Sequence, residues 1–339
     1  MKTNGTIVLA HGGGGQLTDE LIQESIIPRL ANPALNDLLD AALLPGHSGG
    51  RLAMSIDSYV VQPWTFPGGD IGQLAVCGTV NDLSVCGARP IGLALSLIIS
   101  EGFRRRDLEQ VLDSVQAAAE EAAVQVITGD TKVVDRASGD GVFITTAGVG
   151  HVPTGVRLSP RRVRDGDAVL VNGPIGEHGV AVMLAREMPE VTSVLTTDAA
   201  PLDALIGELL DAVGDDVVFM RDPTRGGVAG LVADLARQAQ RHVVLDEQAI
   251  PVRPEARHAA DMLGLDPLDV ANEGKVVAVV RGKAADSALR AMRSHRYGRD
   301  AAIIGRITET QDGVAELHTV IGGRRVIQKP YGEQLPRIC

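Results

Sequence analysis

Aromatic residues are scarce: one tryptophan, three tyrosines and four phenylalanines, 2% of 339 positions. So sparse a set does not furnish the stacking platforms on which proteins hold single-stranded nucleic acid. Positive charge is also in deficit, with 32 lysines and arginines against 43 aspartates and glutamates and a formal net charge of −11. That sign repels nucleic acid and anionic membrane surfaces over long range. The three cysteines are odd in number and make no disulfide framework, which points to a reducing cytoplasm. No apolar run approaches membrane-spanning length, and the opening MKTNGTIVLAHGGGGQ has too short an apolar stretch for a secretory signal. A prenylation box is excluded because its cysteine must stand four from the end. There is no GxxxxGK[ST], no GxGxxG after a strand, no HExxH and no CxxC. The usual nucleotide loops and zinc chemistry therefore have no support.

Glycine is abundant, with 39 residues, and clusters in HGGGG, PGHSGG, FPGGDIG, TRGGVAG and IGGRR. Such clusters mark either tight turns or places where backbone approaches a ligand. At 45% hydrophobic, the chain can build two cores. Periodicity predicts helices over QLTDELIQESIIPRL, from Asp70 to about Val85, over RRDLEQVLDSVQAAAEEAAV, and at 178–186, 202–213 and 227–240. Gly78 argues against the second of these. Strands are predicted at RLAMSIDSYVV, PIGLALSLIIS, VQVITGD, GVFITTAGVG, AVLVNGP, HVVLD, KVVAVV and AAIIGRI. Prolines and basic residues break the pattern at 153–166. This divides the chain into residues 1–155, residues 156–327, each an α+β domain with helices on one side of its sheet, and a tail at 328–339. The tail has little periodicity and no apolar anchor beyond Leu335 and Ile338, so it is expected to be mobile. Cys339, the last residue, is expected to pack against nothing. Cys77 and Cys86 read as core residues of an apolar helix.

The unusual feature is a set of aspartates at element ends: Asp57 in MSIDSYVV, Asp82 in GTVNDLSVCGA, Asp130 in VITGDTK and Asp222 in FMRDPTRGG. Singly, each reads as a cap or turn residue. If they converge, two like charges about 4 Å apart repel by roughly 4 kcal/mol at an effective dielectric of about 20. A cation would then be needed to hold them together, and oxygen ligands of this kind suit Mg²⁺.

Taken together, DSYVVQPWTFPGGDIGQLAVCGTVNDLSVCGA, GDTKVV, RDPTRGGVA, NEGK and the final LPRIC resemble the HypE family of hydrogenase maturation factors. That family belongs to the superfamily of aminoimidazole ribonucleotide synthetase, selenophosphate synthetase and thiamin-monophosphate kinase. The resemblance runs from the glycine run near residue 11 to the last residue. It implies an N-terminal ATP-binding domain whose sheet forms a barrel in a homodimer, a C-terminal α/β sandwich domain, and Mg²⁺ held by aspartates without a P-loop. The implied reaction begins on Cys339. The carbamoyltransferase HypF places a carbamoyl group on its thiol, and ATP-dependent dehydration converts this to a thiocyanate. The cyano group then passes to iron on a HypC–HypD complex, for [NiFe]-hydrogenase. By the same resemblance, Asp57, Asp82, Asp130 and Asp222 hold Mg²⁺ and the ATP phosphates, and Asn81 orients a phosphate or a metal-bound water. Lys132 is the phosphate cation, with a surface salt bridge as its plainer reading. Glu273 takes protons from the carbamoyl nitrogen if burial raises its pKa. Its plainer reading is a structural partner of Lys275 or Arg281. His11 belongs to a lid over ATP, with simple packing as its plainer reading. Activation of the thiol is left to HypF, since nothing basic beyond Arg337 is near in sequence.

Two rivals stand beside this reading. Another synthetase or kinase of the superfamily is disfavoured, since selenophosphate synthetase would carry a reactive cysteine near the first glycine run, and the first cysteine here is Cys77. A non-enzymatic, ATP-gated scaffold would have no use for the sulfur.

Overall fold

The computed structural model describes residues 15–27, 41–45, 49–191, 193–329, 335, 338 and 339. His11 and Gly12–Gly14, expected in a lid, lie outside them. The predicted first helix is present as α1 (Gln16–Leu21), continued by a π-helical turn over Ile22–Ile26.

The first sheet has five strands: β1 (Ala42–Pro45), β2 (Gly50–Tyr59), β7 (Val142–Pro153), β5 (Arg89–Ser100) and β6 (Val126–Val134), in that order across the sheet. A small hairpin, β3 (Thr65–Phe66) and β4 (Gly69–Asp70), leads into α2 (Ile71–Val85). In this sheet, among the described residues, only β5 and β6 run parallel, joined by the crossover helix α3 (Arg105–Glu121). Alternation along β2 sends Ala53, Ser55 and Tyr59 into the core and leaves Leu52, Met54 and Ile56 exposed. Helix α2 covers the inner face. Asp70 starts it, accepting from the Gly72 and Gln73 backbone N–H groups at 2.8 and 3.2 Å. The glycine that argued against this helix has a packing reason. A Cβ on Gly78 would lie 2.1 Å from the Tyr59 hydroxyl, so only glycine lets helix and strand approach this closely.

The second sheet has seven strands in the order β14 (Arg324–Ile327), β13 (Ala315–His318), β10 (His242–Asp246), β12 (Ala302–Thr308), β8 (Ala168–Val171), β11 (Val277–Val280) and β9 (Val217–Arg221). The expectation of helices on one side fails here. Val169, Val171, Val277 and Val279 pack under α6 (Gly227–Ala239). Leu170, Ala278 and Val280 pack on the other face, with residues of α5 (Asp203–Val213) and α8 (Ala285–Ser294). Strands buried on both faces read as unbroken apolar runs, which is what AVLV and VAVV are. The remaining helices are α4 (Glu177–Glu187) and α7 (Pro254–Leu263).

The two halves interlock. Val85, at the end of α2, belongs to the core cluster around Leu170 and Leu202. Ala199, Ala271 and Ile338 belong in turn to the cluster around Tyr59 and Ile71. Glu121, at the end of α3, accepts hydrogen bonds from Tyr297 and Arg296 of the second half.

Candidate functional site

Where β2, α2 and the turn after β9 meet, a cavity of about 240 Å³ is lined by Asp57, Tyr59, Asp82, Asp222, Arg225, Glu273 and Cys339. Three of the four predicted aspartates therefore converge on it. Asp57 points inward from β2, and the Tyr59 hydroxyl donates to its Oδ2 at 3.3 Å. Burial raises the Tyr59 pKa, helped by Asp57, Asp82 and Glu273, so the hydroxyl keeps its proton. Asp82 projects from α2 and accepts from Ser55 Oγ at 2.5 Å. Asp222 follows β9 and is 8% exposed. A cleft of about 700 Å³ shares Asp222, Thr224 and Arg225 with the cavity and extends to Asp19 and Lys329.

Glu273 is buried at the base of this cavity. Its backbone N–H donates to Asp198 Oδ1 at 3.1 Å, while its Oε1 has no hydrogen-bond partner among the described residues. Burial pushes its pKa well up, reinforced by Asp222, Asp198 and Asp57 and opposed by Arg225. The plainer expectation for Glu273 fails, because its supposed partners are engaged elsewhere. Lys275 pairs with Asp198 at 2.8 Å and lies 3.7 Å from Glu177, and Arg281 pairs with Asp167 at 2.8 Å. Lys275 and Glu177 also line a separate cleft of about 600 Å³, whose charged groups are largely paired with one another and which holds none of the expected residues.

The expectation that Cys339 packs against nothing is corrected as well. Ile338 is buried among Tyr59, Phe66, Ile71 and Ala271. The Val60 backbone N–H donates to the Cys339 main-chain oxygen at 3.1 Å, and His178 Nε2 lies 3.0 Å from the Ile338 carbonyl oxygen. Arg225 lines the cavity beside the thiol. Burial raises the Cys339 pKa to about 11, with Arg225 opposing the rise. Arg225, within RDPTRGG, is a site residue that sequence reasoning passes over. An arginine followed by two glycines at a strand-to-helix turn is the available signal.

Asn81 does not face the cavity. Its Nδ2 donates to the carbonyls of Ala200 and Glu273 at 3.0 and 3.1 Å, and its Oδ1 accepts from the Leu202 N–H at 2.8 Å. With the amide committed to backbone, Asn81 does not orient a phosphate or a water; it holds the Glu273 segment against α2. Asn81→Leu is expected to lose on the order of 2–4 kcal/mol in urea unfolding, because buried backbone groups lose their partner. Unchanged unfolding would remove the structural role.

Asp130 and Lys132 lie apart from the others. Register runs from Asp130 through Ser96 and Thr145 to Ser58, one step out of phase with Asp57. Strand alternation therefore puts them on the outer face of the sheet, away from the cavity. They are exposed and pair with each other at 2.7 Å, so no stability is assigned to the pair.

Comparison with known proteins places this geometry. Residues 39–152 match the model of the AIR synthase related protein N-terminal domain, and residues 164–318 match that of its C-terminal domain. The carbamoyl dehydratase HypE of Rhizobium leguminosarum bv. viciae is 46% identical over 336 residues, covering 99% of this chain and 96% of the relative. A solved HypE–HypF complex contains a chain 41% identical with a TM-score of 0.86, covering 91% of this chain and 99% of that one. A HypE structure in complex with ATP is 41% identical with a TM-score of 0.82, covering 98% and 100%. With that identity sustained across both domains, the chain belongs to the HypE family of carbamoyl dehydratases.

Proposed function

We propose that this protein dehydrates a carbamoyl group carried on Cys339 to a thiocyanate at the expense of ATP, as a step in hydrogenase maturation. The observation that carries the reading is the seating of Cys339 in one cavity with three aspartates and a buried glutamate that has a free oxygen. Removing oxide from an amide directly is prohibitive, so the carbonyl oxygen of S–C(=O)–NH₂ attacks the γ-phosphate of ATP and ADP leaves. Phosphate then departs with that oxygen while the nitrogen gives up both protons, leaving S–C≡N. Glu273 lines the same cavity as the thiol and can take a proton from the nitrogen, and its raised pKa makes its carboxylate a stronger base than an ordinary one. Arg225 faces the sulfur with a fixed positive charge.

Magnesium fits the donor set, which is all oxygen. Among the described residues no three of His, Cys, Asp and Glu enclose a metal ion as they stand. Magnesium characteristically keeps several waters and is held by one or two carboxylates together with phosphates. Asp57, Asp82 and Asp222 would hold it, and bound there it would neutralise charge on the transferring phosphoryl group.

The working form is a homodimer. Leu52, Met54, Ile56, Val149 and Ile98 share the outer face of the first sheet, each at least 36% exposed. An apolar patch of this kind on a sheet calls for a partner. Asp130 and Lys132 lie on that same face, so any contact of theirs with phosphate would be with a nucleotide held by the partner subunit. Met54→Asp is expected to turn a dimer into a monomer in sedimentation at micromolar concentration, since burying an unpaired carboxylate costs several kcal/mol. A wild-type monomer there would exclude this interface. HypF loads the thiol, a HypC–HypD complex receives the cyano group, and the compartment is the cytoplasm, consistent with three free cysteines.

Intact mass tests the whole reading. After incubation with carbamoyl donor, HypF and ATP, the carbamoylated protein should lose the mass of one water, located at Cys339 by fragmentation. ATP turnover with no such loss would favour the scaffold.

A further inference from the structure

His178 has no part in the chemistry above, yet it is fully buried and touches the chain one residue from the thiol. It lies in the first turn of α4, and its ring is held edge-to-face against Phe66 at a centroid distance of 5.4 Å. The Ile338 carbonyl can only accept, so Nε2 carries the proton. The neutral ring then accepts at Nδ1, where Thr197 Oγ1 lies 2.7 Å away. Thr197 Oγ1 in turn accepts from the Ala199 N–H at 3.1 Å. The polar groups in this chain all agree on one tautomer, and burial keeps the ring neutral by lowering its pKa. The neighbouring residue, Asp198, accepts from the Glu273 N–H. One loop thus sets both the ring that grips the thiol-bearing segment and the backbone of the proposed base.

We propose that His178 is a positioning residue that seats the Cys339 segment through the Ile338 carbonyl. Because it binds main chain, with the Val60 N–H on the Cys339 oxygen as its companion, the grip is indifferent to what the sulfur carries. The bare thiol, the thiocarbamate and the thiocyanate are all held by the same contacts. This inference rests on the dehydratase reading for its purpose but not for its test.

The test has two arms. In the first, without ATP or partners, Cys339 is alkylated with iodoacetamide, Cys77 and Cys86 serving as buried controls at 0% and 7% exposure. His178→Ala should label about tenfold faster than wild type, the effect of one ordinary hydrogen bond. His178→Gln, whose amide N–H can replace the Nε2–H, should label close to the wild-type rate. In the second arm, single-turnover loss of water should slow about tenfold in His178→Ala and recover in His178→Gln. Wild-type labelling of the alanine variant would overturn the proposal, as would dehydration that is unimpaired in it or equally impaired in both. If the alanine variant does not fold, Thr197→Val removes the hydroxyl that holds the ring at Nδ1, and faster labelling and slower dehydration than wild type are expected of it in the same way. A wild type that never loses water would instead refute the dehydratase reading, and labelling would still report on the seat.

Discussion

Cys339→Ala is expected to fold, bind ATP and keep the oligomeric state of the wild type while forming no thiocyanate. The substitution removes one sulfur and leaves Ile338 in its core, the His178 contact and the Val60 hydrogen bond unchanged. The loss should be complete, because no other cysteine can substitute: Cys77 is enclosed in the core of α2 and Cys86 is 7% exposed. Appending several residues after Cys339 should also abolish the reaction. The added chain would enter the cavity of about 240 Å³ in which, on the proposed reaction, the carbonyl meets the γ-phosphate. In-line transfer tolerates little error, about 1 Å costing on the order of 10²-fold. Intact mass before and after ATP decides both cases. Loss of water in the alanine variant, or modification of Cys77 or Cys86, would show that Cys339 is not the carrier.

Glu273→Gln should lower single-turnover dehydration by about 10²–10⁴-fold, the usual contribution of a positioned base. The same substitution should make the protein more stable. Burial raises the folded pKa of Glu273 above its unfolded value, so between the two values the folded state binds more protons. Stability due to this group is therefore full below the ordinary glutamate pKa and is lost as pH rises toward the folded value. Glutamine does not titrate, so its advantage in melting temperature should be nil in acid and grow as the solution becomes alkaline. A variant that is inactive and destabilised at every pH would assign Glu273 to the scaffold instead.

Much of this was legible in the sequence. Helices with an apolar stripe and strands with alternation or unbroken valine runs were found. The missed helices, α7 and α8, bury alanine: Ala256, Ala259 and Ala260 in one, Ala285 and Ala288 in the other. An alanine stripe among charged residues gives little contrast to read. Asp57, Asp82 and Asp222 could be paired by chemistry before their positions were known. Asn81 was misread because adjacency in sequence says nothing of direction on a helix. Successive residues point about 100° apart, so Asp82 reaches the cavity while Asn81 reaches the other domain. For Asp130 and Lys132 the missing information was register, which decides the face and is not written in a single strand. Arg225 and His178 become meaningful only once residues far away in the chain are brought beside them.

The interlocking seam between the two sheets also bears on how the molecule comes apart. Val85 is a member of the second half's core, Ala199, Ala271 and Ile338 are members of the first half's, and Asn81 ties helix α2 to segments 200–202 and 273. Neither half can melt without opening a hole in the other's interior, so heat should be absorbed in one cooperative peak rather than two. Genes encoding the halves separately would yield polypeptides that each expose the other's missing wall. Recombination with relatives at 153–166, where the chain looks most divisible, would succeed only between parents whose side chains agree across that seam.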